Sequence, residues 1–347
     1  CHNLDFYCMS QEEILTAVGH YSSDAEIALI EGNKGLYDGL DLEGSNSNAA
    51  LATLTRTPVI LVLDARGMTR GIAPLILGYQ SFDPDVTIAG VILNQLGGSR
   101  HEAKLRAVIE HYTDVPVIGG VHRDPALVID ERHLGLIPSN EAATADSKIR
   151  TIRDLIREQV DIDRLLAQAG QQPIRFKAPQ PVPQHDSAAV RIGIAHDAAF
   201  GFYYPDDIAA LQEAGAELVY FNTLTDATLP EVDGLFIGGG FPESYLHTLE
   251  ANASLRASIH SAIAEGLPAY AECGGLMYLS RSLSWNGNRA DMVGVIPGDA
   301  VMHARPQGRG YVRLRETAGA PWPSQHPEGE FAAHEFHYSA LENISEP

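Results

Sequence analysis

Cysteine is nearly absent: 347 residues hold three, at positions 1, 8 and 273. So few exclude a disulfide framework, and their spacing excludes a zinc-ligand set. A reducing, cytoplasmic setting is expected. Cations are also scarce, because 24 Lys and Arg against 45 Asp and Glu leave a formal net charge of −21. Nucleic acid and anionic membrane surfaces are therefore poor partners. No apolar run reaches the roughly eighteen residues of a membrane span, and no secretory leader is recognisable. The phosphate-cradling pattern GxxxxGK[ST] occurs nowhere. The chain opens on Cys1, not a methionine, and a missing N-terminal piece is expected.

What remains is an ordinary globular composition, 45% hydrophobic and 20% charged, long enough for two cores. Residues 24–160 alternate apolar runs with amphipathic stretches. Strands are expected at 26–31, 58–64, 87–94 and 115–119, and helices at 11–19, 47–54, 70–79, 101–112 and 145–159. Such near-continuous apolar strands fit a parallel sheet covered on both faces. Residues 168–189 carry four prolines without apolar periodicity and read as a linker. A second series follows, with strands expected at 190–195, 216–221, 232–237, 267–271, 292–296 and 311–315, and helices at 205–214 and 244–265. The fold class is α/β with two doubly wound domains, 1–167 and 190–347.

One stretch organises the second domain. LPAYAECGGLMYL, 267–279, reads as a buried strand, a sharp turn and a helix, with Cys273 at the bend. A helix N-terminus behind the sulfur favours a thiolate, and the glycines permit strained dihedrals. Cys273 is thus the candidate nucleophile. Gly238, Gly239 and Gly240 follow the preceding strand. The N–H groups of Gly239 and Gly240, with that of Gly274, can hold an oxyanion. A base is offered by FAAHEFHYS, 331–339. His334 and His337 lie three apart, so a strand turns them to opposite faces, and Glu335 shares the face of His337. In 303–315, Arg305, Arg309, Arg313 and Arg315 stand without an acid, which fits an anionic substrate or a solvated strand face.

In the first domain, ligands are expected beyond the carboxyl ends of strands. Glu31 there could hold Mg²⁺ beside a nucleotide's phosphates, Lys34 could meet a phosphate or carboxylate, and Asp38 closes the glycine-rich loop 31–39. The same residues fit an ordinary turn. Asp64 reads as a Mg²⁺-side carboxylate or a helix cap. Asn94 could contact a purine edge or simply end its strand.

At AECGGLMYL, GGGFPESY, GLYDG and HEFHYS the chain resembles the cobyrinic acid a,c-diamide synthase family, from about residue 2 to 345. The resemblance implies a dethiobiotin-synthetase-like P-loop domain, here without its first strand and phosphate loop, joined to a class I glutamine amidotransferase domain. It implies that Cys273 attacks the glutamine amide and that His337 activates it, with His334 the weaker candidate. Ser339 stands where many class I glutaminases carry Glu, so a Cys–His dyad is implied. ATP with Mg²⁺, held through Glu31, would phosphorylate a carboxylate of a polycarboxylate tetrapyrrole. Asp38 and Lys34 would face substrate and phosphate, Asn94 the base, and Arg305 and Arg309 the macrocycle's carboxylates. Ammonia from glutamine would then give the amides a and c of cobyrinate or hydrogenobyrinate. A homodimer is compatible, and a trimmed C-terminus is expected. Two other readings stand: amidation of sirohydrochlorin in a sulfur-metabolism branch, and a non-catalytic tetrapyrrole-binding module. A partitioning ATPase fused to an unrelated domain is a third.

Overall fold

A computed structural model describes residues 2–129, 131–132, 135–136, 145–170, 190–317 and 329–345. The chain divides into two compact units. One holds 4–130 and 144–180; the other holds 181–347 with 1–3 and 131–143. Most of the expected linker, from 171 to 189, lies outside the described residues, and 168–170 end a helix.

The first unit opens with α1 (Gln11–Ser22), started by Ser10, whose hydroxyl accepts from the Glu13 N–H while the Glu13 carboxylate accepts from the Ser10 N–H. Then come α2 (Asn48–Thr55), β1 (Val59–Asp64), α3 (Ile72–Phe82), β2 (Ile88–Leu96), α4 (Ser99–Tyr112) and β3 (Val117–His122). The three strands form a parallel sheet in the order β1-β2-β3. Leu61, Leu63, Val91 and Leu93 from the sheet pack with Ile72, Ile76, Leu105 and Ile109 from the helices. In this register Asp64 lies beside Asn94 at the strands' carboxyl ends. A short antiparallel hairpin, β4 (Glu131–Arg132) with β5 (Gly135–Leu136), comes next along the chain and is assigned to the other unit; the first unit resumes with α5 (Ala145–Gln159) and α6 (Ile162–Gly170).

One expected strand does not form. Residues 26–31 are irregular, with Ile27 and Leu29 44% and 92% exposed. A run of apolar residues becomes a strand only when another strand satisfies its N–H and C=O groups, and none pairs with this one among the described residues.

The second unit is built on four parallel strands in the order β11-β9-β6-β8: β6 (Val190–Ala195), β8 (Ala216–Phe221), β9 (Gly234–Ile237) and β11 (Ala269–Ala271). Between them run β7 (Phe200–Phe202), α7 (Pro205–Glu213), β10 (Gly239–Gly240), α8 (Leu246–Ala251) and α9 (Ala253–Ala264). The helix expected over 244–265 is broken at Asn252. Its carbonyl caps α9 at the Leu255 N–H, and its amide donates to the Thr223 and Asp226 carbonyls at 2.9 Å each. Then α10 (Gly274–Leu279) leads to a mixed sheet, β13-β12-β14-β17, of β12 (Ser280–Trp285), β13 (Asn288–Asp291), β14 (Ile296–Met302) and β17 (Ser339–Glu342). Residues 292–295, expected as most of a strand, instead cross between strands. Met292 and Val293 are buried, and Gly294, at φ 83°, turns the chain. Their apolar character reflects core burial. The last element is a two-stranded ribbon, β15 (Gly308–Arg315) with β16 (Glu330–His337).

Asp299 clamps the mixed sheet. Its carboxylate accepts from Arg281 at 2.8 and 2.9 Å, from the Ser282 hydroxyl at 2.7 Å and from the Asn343 amide at 3.1 Å. These donors hold its pKa far below the usual carboxylate range, the Arg281 hydrogen bonds most of all. A carboxylate so depressed stabilises the fold above its unfolded pKa of about 3.9 and loses that contribution as pH falls toward the folded value. Asp299→Asn should therefore cost about 1–2 kcal/mol at pH 7. Thermal melting against pH should show the gap between variant and wild type closing below pH ~4.

Candidate active site

Cys273 sits where β11 ends and α10 begins, at φ 49° and ψ −111°, a conformation that L-residues avoid. The surroundings impose it. The Gly275 N–H donates to the carbonyls of Glu272, at 2.8 Å, and Gly238, at 3.0 Å, while the Glu272 N–H donates to Ile237. A Cβ on Gly275 would overlap the Ile237 carbonyl, and one on Gly274 would lie 2.9 Å from the Gly240 nitrogen. Only glycine fits either position, so the turn and the Gly238–Gly240 run pack backbone against backbone.

That run has its own support. Gly239 and Gly240 pair with Phe202 and Phe200, and a Cβ on Gly240 would overlap the Ala199 carbonyl. The half-buried Tyr203 hydroxyl donates to the Ala195 carbonyl at 2.5 Å and accepts from the Gly238 N–H at 3.1 Å. The Gly240 and Gly274 N–H groups both bear on the Cys273 thiol, each favouring its thiolate. Gly239 is close by, its open Cβ direction ending 3.8 Å from the Cys273 Cβ. Two converging amides beside a nucleophilic sulfur can hold a negative oxygen.

The thiol is surface-accessible, yet protein crowds the sulfur. Desolvation pushes its pKa up, and the negative charges of Glu243 and Glu272 push the same way. The expected thiolate-favouring helix end is thus outweighed: two amide hydrogen bonds lower the pKa, but burial and two carboxylates raise it further. Glu243, 2% exposed, went unnoticed in the sequence because nothing local marks a buried acid. Glu272 is also raised, first by desolvation, and accepts from the Tyr270 hydroxyl at 3.0 Å. A protonated thiol flanked by carboxylates requires a base.

His337 and His334 lie on opposite faces of β16, as their spacing predicts. His334 is exposed, its ring edge-on to Tyr311 at 5.4 Å. His337 is half-buried, with Nδ1 2.7 Å from the Ser339 carbonyl and Nε2 2.8 Å from a Glu335 carboxylate oxygen. Both partners are acceptors, so a ring with N–H on each nitrogen satisfies them together. Across the ribbon stands Gly308, where a Cβ would overlap both Nε2 and the Glu335 carboxylate. In this arrangement no hydrogen bond joins the ring to Cys273.

The remaining candidates are scattered. Arg305 lies exposed in the bend before β15, and Arg309 is exposed on it. In the first unit Glu31, Lys34 and Asp38 are exposed on a loop tied to α2 through the Lys34 carbonyl, which accepts from Asn48 at 2.8 Å. By themselves they do not form a cage of three or more metal-ligating side chains. Glu31 is a single carboxylate, Asp64 is held by Arg66 at 2.5–3.0 Å, and no metal-ligating group of three is found among the described residues. Asn94 is better placed. With Gln95, His122, Arg123 and Asp124 it lines a cavity of about 460 Å³ beyond the ends of β2 and β3. His122 is positioned there by Glu102 at 2.8 Å, which also accepts from Arg106. Of these lining residues the sequence pointed only to Asn94; the strand-end position of His122 was the missed signal.

Comparison with known proteins decides the family. Residues 191–346 match the model of the CobB/CobQ-like glutamine amidotransferase domain, and residues 8–130 that of an AAA domain. Over its whole length the chain is 42% identical to a cobyrinate a,c-diamide synthase of Magnetococcus marinus, covering 75% of that protein. The chain belongs to the cobyrinate a,c-diamide synthase family. The synthase of Methanosarcina acetivorans is 43% identical, and that of Listeria monocytogenes serotype 4b 39%, with 74% and 75% of their lengths covered. Family membership gives the first unit an ATP-using role and the second a glutamine-using one. No helix among the described residues is long and apolar enough to cross a membrane.

The site makes one chemical prediction. Because burial and the carboxylates raise the thiol's pKa, alkylation of Cys273 by iodoacetamide should accelerate with pH through a midpoint above the ordinary thiol value of about 8.5. Mass spectrometry of the Cys273 peptide separates it from the exposed Cys8.

Proposed function

We propose that this protein is a glutamine-hydrolysing, ATP-dependent amidoligase that converts the a and c side-chain carboxylates of cobyrinate, or hydrogenobyrinate, to amides. The observation that carries this reading is the strained Cys273 turn with the Gly240 and Gly274 amides converging on its sulfur. It lies in a chain similar along its whole length to proteins named for that reaction.

In the second unit, Cys273 attacks the carboxamide carbon of glutamine. The carbonyl oxygen becomes an oxyanion held by the Gly240 and Gly274 N–H groups, with Gly239 completing the turn. His337 takes the thiol proton and delivers it to the departing nitrogen, releasing ammonia and leaving a glutamyl thioester. Water then hydrolyses the thioester to glutamate and the free thiol. To reach the sulfur His337 must leave one of its two acceptors and give up to solvent the proton it shared there, which frees that nitrogen as the base. Glu335 orients the ring before that step and favours the imidazolium that forms.

In the first unit, a carboxylate of the macrocycle attacks the γ-phosphorus of ATP, giving an acyl phosphate and ADP. Ionised carboxylates resist direct attack by ammonia; the acyl phosphate offers phosphate as a leaving group. Ammonia displaces it, and a second cycle gives the second amide. Asn94, in its cavity, contacts the base, and Lys34 and Asp38 face phosphate and substrate. Mg²⁺ would come with the nucleotide's phosphates, with Glu31 the carboxylate on its side, and would neutralise their charge; among the described residues no group of three ligating side chains forms a cage for it.

Cys273→Ala should lower glutamine-dependent amidation by roughly a thousandfold or more while added ammonia still supports the reaction. His337→Ala should lower glutamine hydrolysis in the same way. Mass spectrometry of cobyrinate products reads both, with sirohydrochlorin offered in parallel. Amidation of sirohydrochlorin alone, or equal loss with glutamine and with ammonia, would contradict the reading.

A further inference from the structure

The ribbon of β15 and β16 has two unlike faces, because side chains alternate along each strand. One face carries His337 and Glu335 opposite the bare backbone of Gly308 and Gly310. The other carries Arg309, Tyr311 and Arg313 beside His334 and Phe336. Arg309, Arg313, His334 and Phe336 are all exposed, Phe336 by 40%.

This second face is unusual on a chain of net charge −21. Its third guanidinium, Arg315, is taken by Glu330. Among the described residues neither Arg309 nor Arg313 makes a direct ion pair, although the Arg313 charge also bears on Glu330. Between these two cations stands an aromatic pair, Tyr311 against His334 at 5.4 Å, extended by Phe336 directly across from Arg309. Arg309 and Arg313 are four residues apart, about 13 Å at the rise of a strand.

A single anion would use one arginine and leave the rings idle. A nonpolar ring would use the aromatics and bury two unpaired cations at a cost. A flat macrocycle with carboxylate arms uses both, its ring against Tyr311, His334 and Phe336 and its arms on the planar, two-pronged guanidinium groups. We propose that this ribbon face is the subsite that binds the polycarboxylate tetrapyrrole, with Arg309 and Arg313 pairing its carboxylates. The proposal rests on the amidoligase reading and specifies where that substrate docks on the second unit.

The test is absorbance titration of the full chain with cobyrinate, and with cobyrinate whose carboxylates are methyl esters, at low and high salt. Wild type should bind the acid at least tenfold more tightly than the ester, and salt should weaken acid binding. Arg309→Ala/Arg313→Ala, with folding verified by circular dichroism, should raise Kd for the acid at least tenfold and remove most of the salt dependence. Arg315→Ala should change Kd less than twofold, because its charge is already paired. An unchanged Kd in the double variant, or an equal loss in Arg315→Ala, would overturn the subsite. Failure of wild type to amidate cobyrinate at all would instead count against the amidoligase reading. Amidation by wild type together with an unchanged Kd in the double variant would reject the ribbon face alone.

Discussion

Backbone pressed against backbone is the constraint on which the second unit depends. Glycines at 238–240 and 274–275 let the strand end after β9 and the turn after β11 approach within the distance of an amide hydrogen bond. That approach holds Cys273 at a positive φ and turns two N–H groups toward its sulfur. A side chain at Gly275 would force these segments apart, and one at Gly240 would push the glycine run off the Ala199 backbone; either would displace the strained residue and its donors. Strain of this kind persists only where surrounding packing over-determines it. The buried sheet, the Phe200–Phe202 strand and the Tyr203 hydroxyl supply that packing.

Electrostatics at the same place runs against the nucleophile. Burial and two carboxylates favour the protonated thiol, so thiolate chemistry at this position calls for a base. The proposed base, His337, is itself occupied, its ring held by a carbonyl and a carboxylate. In the proposed reaction the imidazole leaves one of these acceptors to reach the sulfur, so glutamine hydrolysis follows that movement.

Features set by short-range geometry were legible in the sequence. The cysteine turn, the glycine run and the opposite facing of His334 and His337 follow from a few neighbouring residues and the period of a strand. Most helices likewise follow from local patterning, down to the Ser10–Glu13 cap of α1. What depends on distant partners was not legible. Residues 26–31 look like a strand but find none to pair with among the described residues, and Met292 and Val293 are apolar because they fill the core. Asn252 breaks a helix through carbonyls 26 and 29 positions away. The direction of the Cys273 shift depends on Glu243, whose burial no local pattern reveals, and the Asn94 cavity needs His122 from the next strand.

The central claim is that Cys273 is the atom that takes glutamine apart. It is tested most directly by incubating the protein with a glutamine analogue bearing a diazoketone in place of the carboxamide, then mapping the covalent adduct by mass spectrometry. The account predicts one adduct, on Cys273, suppressed by glutamine. Modification of Cys8 with Cys273 untouched, or labelling of Cys273 that glutamine does not suppress, would contradict it.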